Sequence, residues 1–276
     1  MAEPADRGAE GVGARTYREV MTVPPPPASS PFDVAELEYV FGDVWNRPGL
    51  SRRDRRWISL TCAGAADTVV PIRAHIYAAL NSGDMSLLEM QEFVLHFAVY
   101  CGWPKASFLN QVVTEQWAQI CGERGVDPEP QEDFPVWSAG MDPDDRIAGG
   151  QAWFSYINCV RYPPANTPYT AAGILNYVFG EVWQRPGLSD RDRRFITVAA
   201  VGLDDTDIPI RSHVYAALKS GDITLEEMYE LVLHFAVHSG WPKASFLNQV
   251  TSDSWTRIAD DGGVRPPTPA PPRGLG

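Results

Sequence analysis

Two histidines surrounded by small residues are the first candidates for chemistry. His75 lies two residues after Arg73 and is followed by Tyr77, and the same order recurs at Arg211 and His213. Imidazole exchanges protons near neutral pH, so His75 and His213 are predicted to act as general acids or bases. Guanidinium groups suit carboxylates, so Arg73 and Arg211 are candidate binders of an anionic substrate.

A second set of polar residues is spaced by three and four positions. One copy contains Glu89, Glu92, His96 and Tyr100, and the other contains Glu227, Glu230, His234 and His238. This spacing places each set on one helix face, beside an apolar stripe. Polar groups next to a buried face must be paired or functional. The glutamates at 92 and 230 are therefore predicted to orient catalytic histidines at 96 and 234, with Tyr100 and His238 contacting substrate.

Simpler structural roles would explain several of these residues equally well. His96 could be a core histidine bonded to Glu92 one turn earlier, and Glu89 is first of all a helix cap. The arginine-rich start of the preceding helix is mostly typical of a solvated, salt-bridged segment. Arg55 and its counterpart Arg193 are nevertheless predicted to reach an anionic ligand.

The spacing Glu230-x-x-x-His234-x-x-x-His238 is also that of metal ligands on a helix, with His213 as a possible fourth. The first copy has Tyr100 at the last position. A metal common to both copies is therefore not expected, and no metal site is predicted.

All of these residues belong to a duplicated unit. Residues 37–117 match residues 175–255 at a constant shift of 138, with 53 identities in 81 positions. Unrelated segments do not match at that level. The chain is therefore two similar units in tandem, and repeats of this kind determine how the whole fold is interpreted.

Helix caps and breakers divide each unit into about five helices. The first is predicted over about Val34–Asn46 and ends at the Pro48–Gly49 turn, because proline cannot continue a helix. Four of the later helices begin with capping patterns, which are Ser51 with Asp54, Ser86 with Glu89, Ser189 with Asp192, and Thr224 with Glu227. No alternating strand pattern occurs, so the fold is predicted to be all-α.

The predicted boundaries follow composition. They are a disordered N-terminus (1–15), a first unit (16–126), a linker (127–153), a second unit (154–262) and a disordered tail (263–276). A proline-rich segment precedes each copy, at Pro24–Pro27 and again at Pro163 and Pro164. The duplication is therefore expected to extend upstream of Leu37.

Composition narrows the class of partner and compartment. The formal net charge is −12, which argues against nucleic acid and anionic membranes. No apolar run approaches a membrane span, and the N-terminus has no apolar signal-peptide core, so a soluble cytoplasmic protein is expected. The four cysteines form no C-x-x-C pair and are interpreted as buried apolar thiols in a reducing compartment.

The ordered motifs resemble the carboxymuconolactone decarboxylase family, within the alkyl hydroperoxidase D-like superfamily. They are the W-x-RPGL turn (45–50, 183–188), the RDR helix start, the segment from His75 to Gly83 (213–221), the E-M-x-E helix and the Y-x-G-x-P turn at 100–104. The resemblance implies an all-helical fold that assembles into symmetric rings. A tandem chain would then form a homotrimer of six similar units, with pockets between helices and near subunit contacts.

This chain departs from the superfamily pattern in two places. The peroxidase branch uses C-x-x-C-x-x-x-H, but alignment on His75 places Thr68 and Pro71 where the cysteines would be. Thiol-dependent peroxide reduction would therefore lack its nucleophile. At the second place, Trp103 and Trp241 enlarge the turn before the last helix, and Lys105 and Lys243 (two residues later) replace a small residue. The two tryptophans are therefore predicted to shape the substrate pocket.

The resemblance implies a cofactor-independent lyase acting on a small carboxylated lactone or an aromatic-derived metabolite. Such an enzyme stabilises an enolate and then protonates carbon. The alternatives are a biosynthetic isomerase or cyclase on the same fold, and a non-catalytic ring-forming protein that binds a metabolite. An enzyme should hold His75 or His213 in a closed pocket with an arginine, whereas a scaffold should satisfy those side chains internally.

Overall fold

The computed structural model describes residues 11–66, 68–128, 139–204 and 206–273, and these ranges are helical without strands. The prediction of an all-α fold in two units is confirmed. The first unit comprises α1 (Val12–Met21), α2 (Pro31–Ala35), α3 (Arg52–Ala65), α4 (Val69–Asn81), α5 (Leu87–Cys101) and α6 (Trp103–Arg124). Helix α2 continues as π-helical turns over Glu36–Val44, where the Trp45 N–H bonds the Val40 carbonyl at 3.0 Å.

The second unit repeats this order. It comprises α7 (Pro143–Asn158), π-helical turns over Tyr169–Val178, a 3₁₀ turn over Val182–Gln184, α8 (Asp190–Leu203), α9 (Asp207–Ser220), α10 (Leu225–Ser239) and α11 (Trp241–Asp260). Each unit therefore has one more helix upstream, α1 or α7, than the five expected.

The predicted caps form as hydrogen-bonded boxes. In the box that opens α3, the Asp54 N–H donates to Ser51 Oγ at 3.1 Å, and the Ser51 N–H donates to the Asp54 carboxylate at 3.3 Å. The same reciprocal bonds open α5, α8 and α10. Each box satisfies two backbone donors that a helix start leaves free, which explains why these short patterns define the boundaries.

The duplication does extend upstream of Leu37. Gly13 in α1 and Gly150 in α7 lie so close to the π-helical segments that a Cβ would sit 1.8 and 1.7 Å from the carbonyl oxygens of Leu37 and Leu175. Only glycine permits that approach. Helices α1 and α7 correspond at a shift of 137 rather than 138, so the two copies differ by one residue before the repeat.

Two helices begin inside segments that were predicted to lack structure. Helix α1 begins at Val12, inside the segment expected to be disordered, and α7 begins at Pro143, inside the expected linker. Both are held by packing against the π-helical segments, which local composition does not report. The remaining parts of those calls, residues 1–10 and 129–138, lie outside the described residues, as do residues 274–276.

The C-terminal tail contacts the second unit over its described part. Arg265 Nη1 donates to the Tyr156 carbonyl at 2.8 Å, and Arg273 Nη1 donates to the Gln184 carbonyl at 3.1 Å. The Trp153 indole donates to the Pro272 carbonyl at 3.3 Å. Arg265, Pro272 and Arg273 thus contact the second unit, in contrast to the disordered tail expected from a proline-rich composition.

The two units pack through an approximate two-fold relation. Helix α3 packs against α8, α10 packs against α3, and α5 packs against α8. Arg53 Nε donates to Asp192 at 3.0 Å, and in the mirrored contact Arg191 Nη2 donates to Asp54 at 3.1 Å. The apolar core is continuous across this contact. The histidines of α5 and α10 that were predicted to do chemistry face this contact.

Candidate functional site

Two equivalent clusters of polar side chains lie where the units meet, and each draws residues from both. The first cluster is defined as Trp45, Arg55, Arg56, Ser59 and His75 of the first unit with His234 and His238 of α10. The second cluster is Trp183, Arg193, Arg194, Thr197 and His213 of the second unit with His96 and Tyr100 of α5. Every member corresponds to its counterpart at the shift of 138.

One hydroxyl joins the two α10 histidines of the first cluster. Ser59 Oγ lies 2.9 Å from Nε2 of His234 and 2.9 Å from Nε2 of His238. A hydroxyl has one proton, so it donates to one ring and accepts from the other when both rings are neutral. The His75 ring meets His238 edge-on, with centroids 5.6 Å apart. Three histidines are thereby brought into one group.

The second cluster has a more completely paired arrangement. Arg193 Nη1 lies 3.3 Å from His96 Nδ1, and since guanidinium only donates, the His96 proton is assigned to Nε2. That nitrogen lies 2.8 Å from Thr197 Oγ1. The Trp183 indole donates to the Tyr100 hydroxyl at 3.0 Å, and the Tyr100 ring lies 5.3 Å from the His213 ring.

Several buried atoms of both clusters have no hydrogen-bond partner among the described residues. In the first cluster these atoms are Trp45 Nε1, Arg55 Nε and Nη1, Arg56 Nη1, His75 Nδ1 and His234 Nδ1; in the second they are Arg193 Nε, Arg194 Nη1 and His213 Nδ1. Buried polar atoms are normally paired, so such a concentration marks a place where a ligand or water completes the hydrogen bonding.

A cavity of 470 Å³ lies between the clusters, on the approximate two-fold axis. Six equivalent pairs of residues line it: Cys62 with Ala200, Ala65 with Leu203, Ala66 with Asp204, Tyr100 with His238, Cys101 with Ser239, and Lys105 with Lys243. Lys105 Nζ donates to the Ala65 carbonyl at 2.7 Å, and Lys243 donates to the Leu203 carbonyl. The lysines thus cap α3 and α8 and place two positive charges at the cavity wall.

Another groove of 370 Å³ runs between α5 and α6. It reaches Glu92 and Arg185 but none of the histidines. The central cavity is lined by one member of each cluster, Tyr100 and His238, and is therefore taken as the candidate site.

Burial keeps the site histidines neutral. Loss of solvent lowers the pKa of His75 and His213 to about 3 and that of His238 to about 4, and the nearby positive Arg56 also lowers the pKa of His75. Burial raises the pKa of Tyr100 to about 12, so its hydroxyl keeps its proton. At neutral pH the site therefore presents uncharged imidazoles beside fixed guanidinium charges.

The cysteines of the cavity are also neutral. Burial raises the pKa of both Cys62 and Cys101 to about 12, and the Ser239 hydroxyl donates to Cys62 Sγ at 3.2 Å. A protonated thiol is a poor nucleophile.

The structure gives the two glutamates a different role from orienting histidines. Arg185 Nε and Nη2 bind the Glu92 carboxylate at 2.9 and 2.7 Å, and Arg47 binds Glu230 in the same two-pronged manner. Both pairs cross between units. The histidines one turn later are held instead by Ser59 and Thr197.

These glutamates also explain the glycine of the RPGL turn. A Cβ on Gly49 would lie 2.4 Å from Glu230 Cγ, and one on Gly187 (φ +94°) would lie 2.9 Å from Glu92 Cγ. The turn of each unit therefore rests directly on the glutamate of the other.

The predicted arginines divide into buried and surface groups. Arg55 and Arg193 are buried and donate to the backbone carbonyls of Arg47 and Arg185, so their remaining donors lie within the clusters. Arg73 pairs with Glu115 at 2.6 Å on the surface. Arg211 likewise pairs with Asp207 and Asp253. The structure does not bring Arg73 or Arg211 to the histidines.

Trp103 and Trp241 also lie away from the central cavity. They are 59% and 56% exposed, at the starts of α6 and α11. They do not line the cavity that contains Tyr100 and His238.

Three members of the first cluster were not predicted from the sequence as site residues: Trp45, Arg56 and Ser59. Trp45 and Arg56 were attributed to a turn motif and a solvated helix start. The available signal was preservation between copies, since tryptophan and arginine recur at 183 and 194 and a hydroxyl recurs at 197. A hydroxyl kept among buried apolar neighbours calls for a polar partner.

The spacing of Glu230, His234 and His238 along α10 does not produce a metal-binding group among the described residues. Over the described ranges, no three His, Cys, Asp or Glu side chains converge as metal ligands do. His213, the possible fourth ligand, lies beside Tyr100 in the second cluster rather than beside His238. Within the same ranges, no helix combines the length and apolarity needed to cross a membrane.

The fold and the site together define the class of protein. It is a small all-helical protein built from a tandem repeat, with buried polar pockets formed by histidine clusters where the two units meet. The chain belongs to the carboxymuconolactone decarboxylase family, whose sequence pattern matches residues 35–115 and again residues 168–253. The two matches fall on the two units, which confirms the tandem assignment.

Two characterised relatives are decarboxylases. Over 105 residues the chain is 31% identical to the nitrosuccinic acid decarboxylase npaB of Metarhizium robertsii. The matched region covers 38% of this chain and 72% of that protein. Over 75 residues it is 36% identical to the 4-carboxymuconolactone decarboxylase of Acinetobacter baylyi, covering 26% of this chain and 53% of that protein. These similarities support a decarboxylase-like function.

Proposed function

We propose that the chain is a cofactor-independent decarboxylase that removes CO2 from a small acid bound at the central cavity. The observation that carries this proposal is the group of buried histidines with unpartnered ring nitrogens beside unpartnered guanidinium donors. The names of the two relatives both describe acids with an electron-withdrawing lactone or nitro group. The proposed substrate is accordingly a carboxylate adjacent to such a group, with a small carboxylated lactone as the leading candidate.

The reaction requires an acceptor for charge and a source of one proton. When the bond to the carboxylate breaks, CO2 leaves and the electron pair moves into the electron-withdrawing group. The product carbon then takes up one proton. Donors already aimed at the oxygen that becomes negative stabilise this transition state more than the ground state. Trp45 Nε1 and Arg56 Nη1 are suited to that role, because neither atom has a hydrogen-bond partner among the described residues.

The histidines are suited to supply the proton. Burial favours their neutral form, but a bound anion restores a countercharge and favours the imidazolium. Substrate binding would then draw a proton onto His75 or His238, and that proton would pass to carbon after CO2 leaves. The Ser59 hydroxyl joins His238 to His234, which offers a path for reprotonation.

The test is CO2 release from a panel of carboxylated lactones and β-nitro acids. The double variant His75→Asn/His213→Asn removes one proposed proton donor, His75, together with its counterpart in the second unit. If His75 supplies the proton, turnover should fall about 100-fold or more, the usual effect of losing general acid–base catalysis. Wild-type turnover retained in a folded double variant would exclude these histidines from the mechanism.

A matched control comes from the same two helices. The double variant Arg73→Gln/Arg211→Gln changes surface ion pairs that do not reach the clusters and should leave turnover within about twofold. Unfolding midpoints of all variants would separate loss of chemistry from loss of fold.

The unpartnered His75 and His213 nitrogens also bear on the non-catalytic alternative. A scaffold should satisfy its buried histidines internally, whereas Nδ1 of each has no partner among the described residues. This observation favours a catalytic or ligand-binding role for the clusters.

A further inference from the structure

We propose that only the first cluster is an open anion site and that Tyr100 closes the second, so that each chain holds one working site. The identity of the substrate rests on the function proposed above. The closure itself rests on the difference between Tyr100 and His238, which occupy equivalent positions.

In the second cluster, the Tyr100 hydroxyl occupies the position where a ligand oxygen would bind. It accepts the Trp183 indole N–H at 3.0 Å and hydrogen-bonds with Thr197. The buried indole donor is therefore satisfied by the protein, and the phenol ring fills the space between Trp183 and His213.

In the first cluster, the shorter His238 satisfies only one of the two equivalent partners. Its Nε2 bonds Ser59 Oγ at 2.9 Å, as Tyr100 bonds Thr197, but it does not reach Trp45. Within the part of the chain that the structure describes, Trp45 Nε1 is left buried without a hydrogen-bond partner. A buried indole N–H without an acceptor is costly, and a ligand oxygen would remove that cost.

The arginines differ in the same direction. Arg193 Nη1 lies 3.3 Å from His96 Nδ1, whereas the equivalent Arg55 Nη1 has no hydrogen-bond partner among the described residues. Both clusters keep unpartnered donors on two guanidinium groups, and within the described residues the first cluster adds the Trp45 indole and Arg55 Nη1. Such donors fit a small anion with several acceptor oxygens, and a carboxylate meets that requirement.

Anomalous diffraction from crystals of the full-length chain soaked in sodium bromide can locate anion sites without knowledge of the substrate. Wild type should show bromide in the first cluster, against Trp45 and Arg56, and none in the second. Tyr100→His should add a bromide beside Trp183. His238→Tyr should remove the one beside Trp45. Tyr100→Phe is the matched control, because its ring still fills the second cluster and should exclude bromide.

Bromide in both wild-type clusters, or in neither, would overturn the proposal. So would a second cluster that stays empty in Tyr100→His, or a first cluster still occupied in His238→Tyr. The two exchanges act on separate clusters, so one is informative if the other variant does not fold. Turnover plays no part in this readout. A chain that releases no CO2 but shows the expected bromide pattern would refute the proposed function and leave the one-site inference standing.

Discussion

The ion pair of Arg185 with Glu92 permits a quantitative test of how the units hold together, because it has an exposed twin. The side chains of Arg185 and Glu92 are 10% and 5% exposed. Arg47 holds Glu230 with the same two-pronged geometry, but its side chain is 47% exposed. One molecule therefore contains the same ion pair twice, once with a buried arginine and once with a half-exposed one.

Burial sets the expected cost of breaking each pair. Arg185→Ala removes the close partner of the buried Glu92 carboxylate and leaves Arg193 at 3.9 Å, which costs about 3–5 kcal/mol. Arg47→Ala removes a half-exposed cation and leaves Arg55 3.8 Å from Glu230, so it costs about 0.2–1 kcal/mol. At roughly 2.1 cal/mol/K of unfolding entropy per residue, a chain of 276 residues loses about 1.7 °C of Tm per kcal/mol. The expected decreases are about 5–9 °C and less than about 2 °C.

Scanning calorimetry of the two single variants provides the measurement. The double variant Arg185→Ala/Glu92→Ala should recover part of the loss, because it removes the Glu92 carboxylate together with the cation. Equal decreases for Arg185→Ala and Arg47→Ala would refute the reasoning. That result would mean that water reaches both pairs equally in solution.

Two further predictions concern pH and assembly. Three of the chain's five histidines are buried and two, His213 and His238, are half-buried, and loss of solvent lowers the pKa of each. Below about pH 6.5 the unfolded chain therefore binds more protons than the folded chain. The contribution of the histidines to the free energy of unfolding is complete above that pH and is lost as the pH falls toward 4. The loss is up to roughly 1.4 kcal/mol per pH unit for each histidine. The Tm should drop by more than about 5 °C between pH 7.5 and pH 5, and a flat profile would contradict the burial of these rings. For assembly, light scattering should give the mass of three 30.5 kDa chains if the ring expected from the family resemblance forms, and a stable monomer would rule it out.

The sequence predicted those parts of the fold that are set by neighbours along the chain. The boxes at Ser51 and Ser86 form as expected, because a cap needs only residues three positions apart. The repeat and the helical class followed from spacing and breakers. Helix α1 and the start of α7 were missed, since both are fixed by distant glycine contacts rather than by local pattern.

For the candidate site, periodicity correctly grouped Glu92, His96 and Tyr100 on one helix face. It could not reveal that this face meets the other unit, and so it paired the glutamate with the nearest histidine. The observed partners, Arg185 and Thr197, lie 93 and 101 positions from the residues they bind. Helical periodicity describes which residues lie together on a surface, while the partner of that surface depends on tertiary packing.

Each cluster combines the hydroxyl-bearing helix of one unit with the histidine-bearing helix of the other. In a dimer of identical single units, any substitution at the position of Tyr100 and His238 would alter both clusters at once. Joining the units in one chain removes that constraint, because each position is encoded separately. Gene duplication followed by fusion therefore gives this architecture a freedom that a symmetric dimer lacks. One pocket can accumulate change while its twin continues to be selected.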